Sequence, residues 1–328
     1  MTTPLVSVKM ITYNHEPYIR QAIECVLAQK TNFPFELVIG EDCSTDGTRE
    51  IVFDYAKRYP DIIRVITSDQ NVGMKQNGKR TFDACKGKYI AYCEGDDYWN
   101  RDDKLQKQVD YMESHPECGL VCSKYNIFLA QKTQFIEHSS WIKNRTIVQI
   151  PTINDILLGK ADILTCTVLT RRLIIEQIIN ADPFLYSSGY FKMGDTQLWA
   201  EISLLSQIYR FEEITATHQL LEESASRSKD IIKLLQFHIS SSEMCIYLCD
   251  KHNLPVQIKN KHINFWVKDS LKLAFITKDS SFADEVIKKY PKLSFKNSLW
   301  FWGTKYLLIR RIVLFLNSIY NRKFILQR

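Results

Sequence analysis

The chain is predicted to fold as an α/β protein with a largely parallel sheet, helices on both faces of that sheet, and a mainly helical C-terminal region. Two observations predict this. Up to Glu94, short apolar runs alternate with stretches whose apolar residues recur at helical spacing. After Ser228, the helical spacing continues without further strand-like runs. We therefore expect one domain over 1–227 and a helical region over 228–328.

Composition favours a soluble globular protein in a reducing compartment. Of the 328 residues, 24% are charged and 45% hydrophobic, which is ordinary for such proteins. The nine cysteines are scattered without CxxC pairs or zinc-ligand spacing, so reduced thiols are expected. The N-terminus lacks the basic and apolar regions of a signal peptide. A cytoplasmic location follows as an expectation.

The net charge of +6 is concentrated at the C-terminal end. No acid follows Glu285, whereas ten lysines and arginines do. The rest of the chain is therefore net negative, which argues against a nucleic-acid partner and indicates that the tail has a partner of its own.

The elements of the first half are predicted in chain order from the spacing of apolar residues. Strands are expected at 5–11, 35–39, 62–66 and 89–93, with helices at 16–29, around 51–55 and up to 86. Later we expect a helix at 102–114, a strand at 119–128, an irregular excursion at 131–150, a short helix at 154–158 and a strand at 164–169. A loop at 189–194, a helix from Asp195 to Leu205 and two short strands within 208–221 complete the domain.

Polar clusters follow three of the four strands, at 12–14, 41–42 and 94–97. Ligands of open α/β sheets bind beyond the carboxyl ends of the strands, so these clusters should converge on one crevice. Glu94, Asp96 and Asp97 lie within four residues around Gly95. Carboxylates at the end of a buried strand need a compensating charge, and Mg²⁺ or Mn²⁺ would supply it. The alternative is a solvated acidic turn.

Two nucleotide motifs are disfavoured. Residues 73–79 fit the GxxxxGK pattern, but Arg80 stands where a P-loop needs Ser or Thr for Mg²⁺. No GxGxxG follows the first strand, which argues against a dinucleotide site.

Four segments in order resemble the catalytic core of the family 2 glycosyltransferases, inverting nucleotide-sugar enzymes of the GT-A fold. They are VSVKMITYNHEPYIRQAIECVLAQ at 6–29, EDCSTDGT at 41–48, Asn71-Val72-Gly73 and GKYIAYCEGDDYW at 87–99. The resemblance implies a Rossmann-like GT-A domain, with a nucleotide-sugar half at about 1–127 and an acceptor half at about 128–227.

Site residues are implied by the same resemblance. Asp96 would hold a Mg²⁺ or Mn²⁺ ion, with Glu94 in the place of the first acid of a DxD motif. Asp42 would accept a hydrogen bond from the base of the nucleotide, and Asp97 would lie near the donor sugar. The remaining nucleotide-sugar contacts implied are Thr12, Tyr13, Asn14, Glu16, Asn71, Gly73 and Lys79.

The chain departs from the family pattern in three places. Glu41 and Cys43 replace an Asp and a Gly. The family often has Ala-Arg-Asn where this chain has Asn77-Gly78-Lys79, so that arginine is absent. Lys79 or Arg80 is the candidate for supplying its charge.

Inversion by a single displacement needs one general base on the face opposite the leaving group. Asp195, at the start of a predicted helix, looks like the family's acceptor-side acid and is our candidate. A plain helix N-cap is the alternative, and the two roles are compatible. Asp182 and Glu176 are weaker candidates. Segment 221–227 resembles a loop that closes over the donor, or is a surface turn; His218 before it and Trp99 are expected to be structural.

We therefore expect a metal-dependent inverting glycosyltransferase that moves a sugar from a nucleoside-diphosphate donor, a UDP-sugar first, to a glycan or lipid-linked acceptor in cell-surface polysaccharide synthesis. The alternatives are a nucleotidyltransferase of similar fold and a catalytically inactive nucleotide-sugar-binding protein.

The aromatic and basic tail, 295–328, is too often interrupted by charges to span a bilayer. An interfacial helix on an anionic, cytoplasmic membrane face is the hypothesis; a helix packed on the catalytic domain or in a dimer is the alternative.

Overall fold

The computed structural model describes residues 3–142, 147–221 and 228–315. These fall into two compact units: one within Met1–Gly189 and Gly194–Leu221, the other within Tyr190–Met193 and Glu222–Arg328. Residues 222–227, most of the predicted donor-closing loop, and the end of the tail, 316–328, lie outside the described part.

The first unit is built on one sheet, whose first four strands are mutually parallel. They are β1 (Val6–Thr12), β2 (Phe35–Glu41), β3 (Ile63–Ile66) and β4 (Tyr89–Tyr92), in the order β3-β2-β1-β4. All four were predicted, because strands buried on both faces are short and almost continuously apolar.

The remaining strands extend the sheet beyond β4. They are β5 (Tyr98–Trp99), β6 (Cys118–Leu129), β7 (Gln134–Ile136), β8 (Leu169–Arg171) and β9 (Gln207–Leu220). The order continues β4-β8-β6-β9-β5, with β7 paired to β6. Strand β8 runs antiparallel to β4 and β6, whereas β6 and β9 are parallel to each other.

Nine helices accompany the described part of this sheet. They are α1 (Ile19–Leu27), α2 (Thr48–Arg58), α3 (Met74–Ala84), α4 (Lys104–Ser114), α5 (His138–Trp141), α6 (Ile153–Leu157), α7 (Arg172–Ala181), α8 (Pro183–Ser187) and α9 (Thr196–Leu205). One face of β1, with Val8 and Met10, packs against Ile19 and Ile23 of α1 in the main core. The predicted α/β architecture is confirmed.

Three sequence predictions for this unit are wrong. The strand expected at 164–169 is a 3₁₀ turn at Thr165–Thr167 followed by β8. The two strands expected within 208–221 are the single strand β9. The excursion at 131–150 contains β7 and α5, and α7 and α8 were not predicted.

The second unit is helical, as predicted. It contains α10 (Ile231–Lys251), α11 (Val256–Thr277), α12 (Ser280–Lys289), α13 (Phe295–Lys305) and a further helical stretch at 307–315. Trp300 is buried and lies edge-on to Phe275 at a ring distance of 4.9 Å. Within the described residues, every helix is too short or too polar to cross a bilayer.

Candidate active site

The site forms where β1, β2 and β4 end side by side. In the parallel register, Thr12 of β1 lies opposite Glu41 of β2, and Lys9 of β1 opposite Tyr92 of β4. The carboxyl ends of the three strands therefore meet at one edge of the sheet. The structure brings together the three polar clusters that follow them, at 12–14, 41–42 and 94–97.

Residues just after β1 hold the loop before α2. Asn14 adopts a left-handed backbone, with φ of 55°, and its Oδ1 accepts a hydrogen bond from the Thr45 amide at 2.8 Å. Glu16 Oε2 accepts one from the Gly47 amide at 3.0 Å. Tyr13 projects outward and is 42% exposed. The side chains of Asn14 and Glu16 thus stabilise this loop, while the exposed Tyr13 projects into solvent beside it.

Asp42, just after β2, is joined by hydrogen bonds to the turn at 71–73. It is only 2% exposed, and its two carboxylate oxygens accept hydrogen bonds from the amides of Val72 and Gly73, at 2.9 and 3.0 Å. Asn71 Nδ2 donates to the Asp42 carbonyl oxygen at 3.2 Å. Gly73 has φ of 84°, which favours glycine, so the turn that presents both amides depends on that residue. Three predicted nucleotide-sugar residues therefore form one hydrogen-bonded group.

The cation beside Asp42 is Arg80 rather than Lys79. Arg80 Nη2 donates to the Glu41 carbonyl oxygen at 2.8 Å and lies 3.5 Å from Asp42 Oδ1. Lys79 Nζ pairs with Asp83 Oδ2 at 2.5 Å on an exposed part of α3. The four-residue spacing of that pair in the sequence is the signal for a surface ion pair. A contact between Lys79 and the nucleotide sugar therefore stays a prediction.

Acids crowd the end of β4. Glu94 Oε2 is buried and has no hydrogen-bond partner. Burial first, and then the charges of Asp97 and Asp96, raise the pKa of Glu94 to about 8. Burial and Asp97 also raise the pKa of Asp96. Like charges this close are costly unless a positive charge joins them.

His218 supplies one positive charge to this cluster. Its Nδ1 lies 2.8 Å from Asp97 Oδ1, which also accepts the Gln219 amide at 2.9 Å. Burial alone would lower the pKa of His218, but Asp97, Asp96 and Glu94 raise it to about 9. The imidazole is therefore protonated at neutral pH. From the sequence, His218 was expected to be structural. Its contact with Asp97 could not be predicted, because no local pattern shows that β9 brings the two residues together.

Small polar groups line the approach to Asp96. Thr12 Oγ1 and His15 Nδ1 are buried without hydrogen-bond partners, and His15 Nε2 lies 4.0 Å from Asp96 Oδ2. A Cβ atom at Gly95 would fall 2.6 Å from that threonine oxygen and 3.0 Å from that histidine nitrogen. Only glycine fits there, so the backbone between Glu94 and Asp96 lies against these polar atoms.

Asp195 is exposed and caps α9. Its Oδ1 accepts a hydrogen bond from the Thr196 amide at 2.7 Å, and its Oδ2 accepts one from Thr165 Oγ1 at 3.1 Å. The predicted cap is thus confirmed, while the catalytic role stays a prediction. Trp199 of the same helix lies edge-on to Tyr92 of β4 at a ring distance of 5.7 Å. The helix that Asp195 caps therefore packs against β4.

The rival carboxylates have structural partners. Asp182 Oδ1 accepts the Leu185 amide at 2.9 Å and caps α8. Glu176 accepts a hydrogen bond from Arg172 Nε at 2.7 Å. These contacts leave Asp195 as the exposed carboxylate among the three candidates.

Trp99 packs below the acids, as predicted. It is buried, and its Nε1 donates to the Cys166 carbonyl oxygen at 2.8 Å. A cavity of about 430 Å³ is lined in part by Trp99 and by none of the predicted site residues.

Residues 7–178 match the family model described as Glycosyl transferase family 2. The chain belongs to this family. It is 38% identical over 168 residues to "Uncharacterized protein Rv1520" of Mycobacterium tuberculosis, covering 51% of this chain and 46% of that protein. It is 34% identical over 130 residues to "Putative teichuronic acid biosynthesis glycosyltransferase TuaG" of Bacillus subtilis, covering 40% of this chain and 50% of that protein. The chain thus spans about half the length of these curated relatives.

Two solved structures share the fold. TarS 1-349 of S. aureus, in complex with UDP-GlcNAc, matches with a TM-score of 0.53 and 18% identity, covering 91% of this chain and 79% of that chain. The mannosyltransferase PcManGT of Pyrobaculum calidifontis, in complex with GDP-Man and Mn²⁺, matches with a TM-score of 0.52 and 14% identity, covering 95% and 87%. The GT-A fold implied by the sequence is confirmed.

Proposed function

We propose that the protein is a metal-dependent, inverting glycosyltransferase that moves a sugar from a nucleoside-diphosphate donor to a glycan or lipid-linked acceptor. The observation that carries this proposal is the unpartnered Oε2 of Glu94, two residues before Asp96 and just after β4, in a chain of family 2. The name of TuaG supports a place in cell-surface polysaccharide synthesis. The family also decides against the nucleotidyltransferase alternative.

The nucleotide would lie against the ends of β1 and β2. The group formed by Asp42, Asn71 and Gly73 fixes a rigid wall there, and Tyr13 is exposed beside it. The TarS structure holds UDP-GlcNAc and the PcManGT structure GDP-Man, which supports a nucleotide-sugar donor. A UDP-sugar is the donor to test first.

Glu94 and Asp96 fit a divalent cation. Glu94 Oε2 has no partner. Burial, Asp97 and Asp96 raise the pKa of Glu94, and burial and Asp97 raise the pKa of Asp96. No three His, Cys, Asp or Glu side chains in the described residues are grouped to hold an ion alone. This suits Mg²⁺ or Mn²⁺, which are often held by one or two carboxylates and completed by substrate phosphates. When bound, the cation stabilises negative charge on the departing diphosphate. The Mn²⁺ in the PcManGT structure supports this assignment.

Asp195 would act as the general base. Its carboxylate takes the proton of the acceptor hydroxyl, whose oxygen forms a bond to the anomeric carbon while the bond from that carbon to the diphosphate breaks. The nucleoside diphosphate leaves with the electron pair of the broken bond. The hydrogen bonds from Thr196 and Thr165 hold the carboxylate in place and leave lone pairs free for the proton. The protonated His218 beside Asp97 adds positive charge on the donor side.

The experiment measures sugar release and transfer from a panel of UDP- and GDP-sugars, with Mn²⁺ or with EDTA, for the wild type and Asp96→Ala. We expect the wild type to use at least one donor with metal only, and Asp96→Ala to lose both activity and nucleotide affinity while it remains folded. Asp83→Ala, which removes an exposed aspartate of α3, is the matched control and should be active. Full activity in EDTA would refute the metal role, and binding without turnover would favour the inactive binding protein.

A further inference from the structure

His15 is held at the edge of the donor site by its main chain. Its amide donates to Oγ1 of Thr48, the first residue of α2, at 2.8 Å. Its carbonyl oxygen accepts the amide of Ile19, the first residue of α1, at 2.9 Å. Both hydrogen bonds use backbone atoms of His15, so they position the residue and leave its imidazole ring free to bind something else.

The ring of His15 lies against Gly95 and points toward Asp96. A Cβ atom at Gly95 would fall 3.0 Å from Nδ1 and 2.6 Å from Thr12 Oγ1, and both of these atoms are buried without a hydrogen-bond partner. The other ring nitrogen, Nε2, lies 4.0 Å from Asp96 Oδ2, which is too far for a hydrogen bond. Among the residues that the structure describes, neither ring nitrogen therefore has a hydrogen-bond partner.

The burial of Nδ1 indicates where the ring carries its proton. A neutral ring with the proton on Nδ1 would bury an N–H group without an acceptor, which is costly. The neutral form with the proton on Nε2 avoids this cost, and a doubly protonated ring has a proton on Nε2 as well. The side chain is 19% exposed, and since Nδ1 is buried, the exposed part is the rest of the ring, which includes Nε2. Nε2 is therefore an N–H donor that a ligand can reach.

The chemistry of this donor selects the part of the substrate that it would bind. Under the proposed function, two groups come next to Asp96: the metal ion and the diphosphate of the donor. An ion needs a nitrogen lone pair, which Nε2 lacks while it carries the proton. A phosphate oxygen accepts an N–H group, and hydrogen bonds to such charged acceptors are short and strong. The diphosphate is therefore the group that suits His15.

We propose that His15 binds the diphosphate of the nucleotide sugar: its Nε2–H group donates to a phosphate oxygen on the side of Asp96. This rests on the proposed function. His15 is not among the residues that the family resemblance implied. Gly95 is part of the arrangement, because a side chain there would meet Nδ1 and the Thr12 hydroxyl and displace the ring.

The test is isothermal titration calorimetry of the full chain with UDP, GDP, ADP, CDP and dTDP, each with Mn²⁺ and with Mg²⁺. For the nucleotide that the wild type binds, His15→Asn and His15→Phe should each weaken affinity about 10- to 100-fold, the range for a hydrogen bond to a charged group. His15→Gln should bind nearly as tightly as the wild type, because its amide nitrogen can take the place of Nε2, whereas that of asparagine corresponds to Nδ1. His238→Asn, which removes a half-exposed histidine of α10, is the matched control and should bind as the wild type does.

The glutamine and asparagine variants separate a ligand contact from a structural role, and thermal unfolding establishes that each variant is folded. If the folded asparagine and phenylalanine variants bind like the wild type, or if His15→Gln binds as weakly as they do, the inference is refuted. A loss seen with Mn²⁺ but not with Mg²⁺, which prefers oxygen ligands, would make His15 an ion ligand and refute it too. If the wild type binds none of the five nucleotides, the proposed function itself fails.

Discussion

The buried side chain of Lys104 supports the packing beneath the acidic cluster at 94–97. It is 1% exposed, its Nζ donates to Gln108 Oε1 at 2.8 Å, and it lies 4.2 Å from the centre of the Trp99 ring. Burial lowers its pKa from 10.5 to about 8. The tryptophan that it supports follows Asp97 by two residues. Because Lys104 titrates within this packing, the stability of the protein is expected to depend on pH through its protonation.

Lys104→Met should change how stability depends on pH. Between about pH 8 and 10.5 the unfolded chain binds a proton at this lysine that the folded chain does not, so wild-type stability gains with rising pH. The variant lacks this gain, which is on the order of 3 kcal/mol across the window. Denaturant unfolding at several pH values should show that the free energy of unfolding of the wild type rises with pH relative to that of the variant. Lys107→Met, which removes an exposed lysine, should show no such trend below pH 10.5. If the free energies of unfolding of the wild type and Lys104→Met differ by the same amount at every pH, the lowered pKa of Lys104 is contradicted.

Helix α9 is capped by Asp195, whose role as the helix cap has to be tested separately from its proposed role as the general base. Asp195 caps the helix through the Thr196 amide, and asparagine can accept the same hydrogen bond. Asp195→Asn should therefore fold normally and bind donor, while transfer falls roughly 10²- to 10⁴-fold through loss of the general base. Asp195→Ala should in addition lose about 1 kcal/mol of stability with the cap.

Asp182→Asn is the control for that comparison. Asp182 caps α8 in the same manner, through the Leu185 amide, so its substitution should leave the transfer rate near the wild-type value. Steady-state transfer and denaturant unfolding measured on the same preparations separate the two roles. If Asp195→Asn transfers sugar at the wild-type rate, the base is another residue.

The elements that the sequence predicted are those whose pattern is local. The four parallel strands are nearly continuous apolar runs, and Asp195 marks a helix start by itself. The sequence predicted two short strands within 208–221, whereas β9 continues through Glu212 and Glu213. In the structure they pair with Lys124 and Lys107, at a register irregularity opposite β6. Those partners lie far away in the sequence, so no local pattern could reveal them.

The turn before β8 was missed, and the choice between Lys79 and Arg80 was left open, for related reasons. Thr167 Oγ1 donates to the Leu164 carbonyl oxygen at 2.7 Å, which stabilises a 3₁₀ turn in a run that is typical of a strand. The motif at 71–80 contains three basic residues, and their order does not show which is free.

At the scale of the whole molecule, the C-terminal unit combines basic residues with exposed apolar ones. Leu307, Leu308 and Phe315 are 66, 72 and 65% exposed. Two of the basic residues counted in the tail have partners: Lys305 pairs with Asp284, and Arg310 Nη1 donates to the Phe275 carbonyl oxygen at 2.6 Å. We propose that the exposed apolar residues contact an anionic membrane on its cytoplasmic face, where a lipid-linked acceptor would be found.

Substitution of Leu307, Leu308 and Phe315 by serine together should abolish binding to anionic vesicles. Co-sedimentation with phosphatidylglycerol vesicles should show wild-type binding that weakens as salt rises, because basic residues contribute to it. Truncation after Phe295 would be a poorer test, because it also removes the buried Trp300 and Val313. Leu173→Ser, at a 76% exposed position of α7, is the control and should bind. Wild-type protein that stays in the supernatant at low salt would end the membrane proposal.

The contact between Asp97 and His218 joins residues 121 positions apart in the chain. During synthesis the ribosome releases β1 to β4 and all three acids long before His218, the partner of Asp97. A nascent chain that stops short of β9 holds Asp97 without this positively charged partner. The site is therefore completed by one of the last strands of its domain to be translated, and a truncated product of interrupted synthesis lacks a finished donor site.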